Sequence, residues 1–393
     1  MGQGFCASSI LCASFSRKSQ IKAMAQRYYI GLMSGTSMDG VDAALVSFSH
    51  QKIQLIATHA IKMPSEIKSA LEALVRSELI SLKTLGELDR QLGELFSDAV
   101  LALLKNAAVS TEKITAIGSH GQTIYHSPQG QHPFTLQIGD PNVIAARTQI
   151  TTVADFRRRD VALGGQGAPL TPAFHAYLFG DQEAGIGDQF VLNLGGIANI
   201  TYIPADKSHA VIGFDTGPAN TLLDRWCEKN TGKLFDENGD WARSGKLNDA
   251  LLTMLLSDSY FQKPFPKSTG REYFNLTWLE KYLPPNMKPA NVQATLVELT
   301  ARSIINAIKK YFSSGEILIC GGGVQNNFLL NRLKELAHPL TVHSTAEFGV
   351  DPAWVEALAF AWLAKQTLDK KTGNLTAVTG AKRSTILGGV YYT

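Results

Sequence analysis

The sequence predicts a two-domain mixed α/β protein with a cleft between its domains, and three observations carry that expectation. The chain has 393 residues, 45% of them hydrophobic and 18% charged, which is enough to bury a core in each half. Both halves contain short apolar strands joined by glycine-rich turns, and long amphipathic helices separate the strand groups. The same composition excludes other classes. A net charge of +3, with Arg157-Arg158-Arg159 as its longest basic run, is no nucleic-acid-binding face. No stretch approaches the ~20 apolar residues of a membrane span. The four cysteines, Cys6, Cys12, Cys227 and Cys320, form no CxxC pair and read as reduced thiols of a cytoplasmic protein.

Residues 1–26 are rich in Ser and Cys, lack strong periodicity and match neither a signal peptide nor a myristoylation pattern. They read as a disordered N-terminal extension. The folded chain begins at Tyr28, where YYIGLMS, VDAALVSF and IQLIATHAI form three short apolar runs of an antiparallel meander. Helical patterns follow at about 64–78 and 84–107, the second with Leu85, Leu88, Leu92, Leu95, Val100 and Leu103 on one stripe. KITAIGSHGQTIYH returns to short strands, PNVIAARTQ opens a helix with proline in its first turn, and TTVAD is a strand.

The second half repeats this order. QFVLNLGGIANITYIP is strand, Gly-Gly turn and strand, and HAVIGFDTGPAN leads into the helix LLDRWCEKN. Residues 232–290 read as an insertion over a cleft. NVQATLVELTARSIINAIKKYF is the clearest helix, with Val292, Leu296, Leu299, Ile304, Ile308 and Phe312 aligned. EILICGGGVQNN is a strand ending in three glycines, AWVEALAFAWLAKQ an almost wholly apolar helix, and STILGGVYY a closing strand. The two strand–glycine turn–strand units form an internal echo. The expected division is 27–157 with 372–393 as the first domain and 158–371 as the second.

Three turns carry chemistry. Gly35, Thr36, Ser37, Met38, Asp39, Gly40, Val41 and Asp42 form a small-residue turn whose N–H groups and hydroxyls suit a phosphate. Its two acids imply Mg²⁺ between them and that phosphate, although no metal ligand set can be named. Gly195 and Gly196 form a second turn, and Gly321, Gly322 and Gly323 a third at a strand–helix junction. Tight packing alone explains any one of them. The chain has neither a GxxxxGK[ST] nor a GxGxxG signature, so a nucleotide site here is of another type.

Taken together, the turns resemble the ATPase fold shared by actin, heat-shock chaperones and sugar kinases. There, each domain presents a hairpin to the phosphates and a late glycine turn holds the adenosine. The segments GLMSGTSMDGVDAALV, IGSHGQTIYH, TLQIGDP, ADFRRRDVALGGQGAPLTPAFH, GFDTGPAN, KSTGREYFN and WVEALAFAWLA, in this order, resemble the anhydro-N-acetylmuramic acid kinase family over 28–393. That resemblance implies ATP as cofactor together with Mg²⁺, and a small sugar as partner, with a second copy of the chain as a further partner and no nucleic acid or membrane. It also implies a reaction of cell-wall recycling. Water opens the 1,6-anhydro ring of anhydro-N-acetylmuramic acid while the freed 6-oxygen takes the γ-phosphoryl group, giving N-acetylmuramic acid 6-phosphate and ADP.

By the same resemblance Asp215 is the catalytic base; on pattern alone it is equally a helix N-cap. Glu356, the one acid between Ala353 and Ala364, needs a partner or a polar cavity, and the resemblance places it near the sugar as a second catalytic group. Arg158 is the expected contact for the sugar's lactyl carboxylate. His120 is the other expected substrate contact, with loop stabilisation as its alternative. Two rival functions remain: a kinase for another sugar on the same fold, and an ATP-regulated binding protein.

Overall fold

The computed structural model describes residues 27–35, 37–49, 52–77, 79–180 and 187–393. The segment read as an N-terminal extension, 1–26, and Thr36 of the first turn lie outside the described residues.

Two mixed sheets dominate. The first runs from β1 (Tyr28–Met33), β2 (Gly40–Ser49) and β3 (Lys52–Lys62) to β4 (Ile114–Ser119). β5 (Gln122–Ser127) and β6 (Phe134–Ile138) form a separate two-stranded ribbon, and β7 (Thr152–Ala154) rejoins the first sheet. The second sheet contains β8 (Gln189–Leu194), β9 (Ile197–Ile203), β10 (Ile212–Pro218), β11 (Glu316–Cys320) and β12 (Thr341–Ser344). β13 (Gly389–Tyr391) closes the first sheet against β7.

The strand orders, β13-β7-β4-β1-β2-β3 and β10-β9-β8-β11-β12, contain one pattern twice. In each sheet an antiparallel three-stranded meander is extended from its first strand by two parallel strands. The internal echo is therefore a repeat of topology.

Helices form where the periodicity predicts them: Ser65–Arg76, Leu82–Ala107, Pro141–Thr148, Asn220–Thr231, Pro289–Lys309 and Val355–Leu368. Asp140 caps the third of these at Asn142 N, with Pro141 in its first turn. Leu82–Ala107 lays Leu88, Leu92, Phe96, Val100 and Leu103 on the first sheet. Pro289–Lys309 does the same for the second with Val292, Leu296, Leu299, Ile304 and Ile308. The segment 232–290 is not the overhanging insertion expected. Ala242, Leu251, Leu252, Leu255 and Trp278 are buried in the same core as Pro289–Lys309.

The apolar helix Val355–Leu368 is buried almost all round, as its uniform composition requires. It packs on β1, β4 and β2, and its cluster also includes Val191, Leu318 and Cys320 of the second sheet. Two glycines allow the approach. A Cβ built on Gly31 would lie 1.7 Å from Ala357 O, and one on Gly118 would lie 2.0 Å from Phe360 O. The helix thus ties the two sheets together, and it carries Glu356 in its first turn.

Candidate active site

The first glycine turn joins β1 to β2. The buried Ser34 hydroxyl lies 2.9 Å from the Gly40 carbonyl and 2.7 Å from Gln122 Oε1, while Gln122 Nε2 donates to Gly35 O at 3.3 Å. Met38 adopts a left-handed conformation, φ 56°, rare for a residue with a side chain. Such local strain persists only where neighbours over-determine it. Among the described residues the only atom near a Cβ built on Gly35 is Ser37 Oγ at 3.8 Å, which leaves room for a ligand at this face of the turn.

The second and third turns touch. Built Cβ atoms on Gly321 and Gly323 would press on the backbone and side chain of Leu194, which precedes Gly195, whereas Gly322 meets nothing within 4 Å. Gly321 has φ 86°, a conformation that favours glycine. Gly196 takes no such conformation; its need for hydrogen is steric. A Cβ there would fall 2.7 Å from Thr221 Oγ1 and 3.5 Å from the Arg271 guanidinium.

Arg271 links the first turn to the second, since it also acts electrostatically on Asp39 and on Asp224 of the helix Asn220–Thr231. Burial pushes the Asp224 carboxyl up to about 7, against the pull of Arg271 and with the charge of Asp39 adding to the rise. Burial works on Asp39 in the same sense. Its 2.7 Å ion pair with Lys68, a Ser37 hydrogen bond and Arg271 outweigh that and hold it below its usual range. Asp42 has no such help and burial raises it.

Asp215 stands in the middle of β10, opposite Asn199 of β9. Oδ1 accepts from Asn199 Nδ2 at 2.8 Å and Oδ2 from Thr269 N at 3.0 Å. The helix after it begins at Asn220 with no side-chain cap, so the N-cap alternative does not hold. Burial raises the Asp215 carboxyl, Asn199, Thr269 and Ser268 oppose it, and Glu272 adds to the rise. A carboxylate held by two donors and poised above its normal range suits a general base.

Glu356 is raised by burial, with Arg157 opposing and Asp42 reinforcing the rise. Arg157 is thus the member of the arginine run that faces it. Its Nη1 donates to Gly167 O at 2.8 Å, and its Nε and Nη2 reach His120 Nε2 at 3.2 and 2.9 Å. Arg158 is exposed and turned elsewhere, toward the Asp155 carboxylate at 3.5 Å and the Thr135 carbonyl at 3.4 Å. Only one of three consecutive arginines can point inward from a five-residue helix start, and nothing in the run says which.

His120 is placed where its loop-stabilising alternative puts it. Its Nδ1 donates to Ser34 O at 3.2 Å and its Nε2 accepts from Arg157, so both ring nitrogens are spent inside the protein. Burial and the Arg157 charge push it down to about 3, which keeps it neutral. It joins the first turn to Arg157, as a loop-stabilising role requires. Asp160, which the sequence reading passed over, pins the following loop. It accepts from Gly167 N (2.8 Å), Asn374 Nδ2 (2.7 Å) and Thr379 Oγ1 (2.8 Å).

Among the described residues no cluster of three or more His, Cys, Asp or Glu forms a metal cage, and no helix is long and apolar enough to cross a membrane. A Mg²⁺ bound through phosphates needs only one or two carboxylates. Asp39 and Asp224, which sense one another's charge beside the second turn, fit that demand.

Two sheets of repeated topology, three adjoining glycine turns and a poised carboxylate define a sugar-kinase-type phosphotransferase of the actin-like fold. The family description "Anhydro-N-acetylmuramic acid kinase" matches residues 27–393. The chain belongs to that family. It is 57% identical over 371 residues to the anhydro-N-acetylmuramic acid kinase of Coxiella burnetii (strain Dugway 5J108-111), covering 94% of this chain and 98% of the relative. It is 53% identical to that of Shewanella loihica, covering 94% and 99%. Among solved structures it is similar to a ROK family glucokinase from Streptomyces griseus, at TM-score 0.38 and 13% identity, covering 86% of this chain and 99% of that one.

Proposed function

We propose that the enzyme opens the anhydro ring and phosphorylates the freed 6-oxygen in one active-site event. Water attacks the anomeric carbon and gives its proton to Asp215; the bond from that carbon to the 6-oxygen breaks, and this oxygen takes the γ-phosphoryl group of ATP, releasing ADP. Inversion by a carboxylate base opposite the leaving oxygen is the geometry such chemistry needs. The observation that carries the reading is the Asp215 carboxylate, fixed by Asn199 and Thr269 inside a strand and raised by burial.

Glu356, restrained by the Arg157 charge, serves as the second carboxyl, orienting the sugar or assisting the water. Arg158, exposed and weakly held by Asp155 at 3.5 Å, would have to swing from that pairing to meet the lactyl carboxylate, the role we assign it. The faces at Gly35 and Gly322, where a built Cβ meets little or nothing, receive the nucleotide. Arg271, lying against Gly196, meets the charge that spreads over the transferring phosphoryl oxygens. Mg²⁺, held by Asp39 and Asp224, would neutralise phosphate charge. Use of ATP on a recycled wall fragment suits a cytoplasmic enzyme.

The test is ADP release with the anhydro sugar, with ring-opened N-acetylmuramic acid and with other hexoses. Release with the anhydro sugar alone is expected. Equal release with the ring-opened sugar would favour the rival reading, a simple sugar kinase.

A further inference from the structure

Behind the strand that carries Asp215 lies a cavity of about 330 Å³. Side chains alternate along β10, so Phe214 and Thr216 line this cavity while Asp215 bonds to Asn199 and Thr269 on the other side. The far wall is the last turns of Pro289–Lys309, through Ser303, Asn306 and Ala307.

The floor is aromatic. Phe265 stacks on Phe214 at 5.4 Å and 17° and receives Tyr311 edge-on at 4.6 Å and 72°. The rim is cationic, formed by Lys263, Lys267 and Lys310, and among the described residues no acidic side chain lines the cavity. Elsewhere lysines find carboxylates, as in Lys68–Asp39 and Lys229–Glu280. These three instead lie over rings, Lys263 and Lys267 over Tyr260 at 5.7 and 4.6 Å and Lys310 over Tyr311 at 5.4 Å. Burial, then the charges of Lys310 and Lys263, push Lys267 down to about 8 against the pull of Asp215, and its Nζ donates to Tyr260 O at 3.2 Å. Three lysines thus rim a concave aromatic surface that carries no carboxylate among the described residues, and Lys267 feels an opposing charge from Asp215 across β10.

We propose that this cavity is a second ligand site, for a phosphorylated monosaccharide, separate from the catalytic cleft on the opposite face of β10. A sugar ring can pack its C–H groups against the partly exposed Phe261, Phe265 and Tyr311 that line the cavity, and a phosphate dianion can meet the three ammoniums. The volume stands at the lower end of the roughly 300–1,000 Å³ range of small-molecule sites, which fits one ring and one phosphate. The ligand class includes the product of the proposed reaction; that link rests on the proposed function, whereas the site itself does not. A route to the catalytic base is built in. Lys267 O accepts from Asp215 N at 3.0 Å, and Thr269 N donates to the Asp215 carboxylate. A ligand drawing on Lys267 pulls the strap that holds the base.

The experiment is calorimetric titration of the full chain, saturated with a non-hydrolysable ATP analogue, with glucose 6-phosphate, glucose and inorganic phosphate. It is repeated on the double variant Lys263→Met, Lys310→Met, whose two side chains are exposed and outside the catalytic machinery. Glucose 6-phosphate should bind once per chain, glucose should not, and the double variant should weaken binding at least about tenfold, the order expected for lost charge-assisted contacts. ADP formation in the absence of sugar phosphate should be unchanged in the variant. Unaltered binding by the double variant, or no binding at millimolar glucose 6-phosphate, overturns the site. Equally tight binding of inorganic phosphate overturns the ligand class. The titration reads binding without turnover, so failure of the proposed reaction would leave its outcome intact.

Discussion

Asp215→Asn separates the catalytic from the structural role of this residue. In the wild type the two carboxylate oxygens accept from Asn199 Nδ2 and Thr269 N at 2.8 and 3.0 Å. Asparagine keeps one acceptor and turns an NH₂ toward the other donor. Leaving one buried donor without a partner costs about 1–3 kcal/mol. Removing a carboxylate that burial disfavours offsets part of that loss. The net stability change should stay within about 2 kcal/mol, a shift of a few degrees in Tm. Loss of the general base costs more, about 10²–10⁴-fold in turnover, or roughly 3–5 kcal/mol of barrier. The assay is coupled ADP release with the anhydro sugar, beside thermal unfolding and nucleotide binding on the same preparation. Ring opening and ADP formation should fail together, because the 6-oxygen is a phosphoryl acceptor only once freed. A folded variant releasing ADP at the wild-type rate would refute the reasoning.

Other outcomes follow from the same geometry. Gly196→Val places a side chain against Thr221 Oγ1 and Arg271, so nucleotide affinity should fall strongly while the fold survives; unchanged binding of an ATP analogue would remove this turn from the site. Gly31→Ala sets a Cβ 1.7 Å from Ala357 O and should cost about 1–3 kcal/mol or more by displacing the central helix, read as a lower urea midpoint; an unchanged midpoint would contradict the packing. Asp224 has a folded pKa of about 7, above the value near 3.9 of an unfolded chain. The folded state therefore holds a proton that the unfolded state lacks between about pH 4 and 7. Stability falls as pH rises through that window and levels off above it. Asp224→Asn removes the titration, so its stability relative to wild type should rise from pH 5 to pH 8, by at most about 3 kcal/mol. A pH-independent difference would show that folding does not raise the Asp224 carboxyl.

Much of the architecture was legible because periodicity is local. The stripe of Leu88, Leu92 and Leu103, and that of Val292, Leu296 and Ile304, can be counted along the chain, and each became a buried helix face. The two strand–glycine turn–strand units announced the repeated topology for the same reason. The ordered segments also sufficed to indicate the family. The three glycine turns were visible as patterns, but their adjacency was not. Gly321 meets Leu194 only because β11 pairs with β8, a contact between residues more than a hundred positions apart.

The tertiary structure alone decided direction and partnership. Of Arg157, Arg158 and Arg159, identical in sequence terms, only the backbone path after Asp155 turns Arg157 toward Glu356. Nothing in the sequence around His120 shows that Ser34 and Arg157 occupy its two nitrogens. Asp215 was equally a helix cap until β10 was found to run on to Pro218, past the point where a cap would stand. Arg271 and Asp224 carried no local signal, because what defines them is the charge of residues brought near by folding. A residue's propensity to form a strand or helix is written mostly in its neighbours along the chain. Its pKa, its hydrogen-bond partner and the cavity it faces depend on groups that only the folded chain brings within a few ångströms.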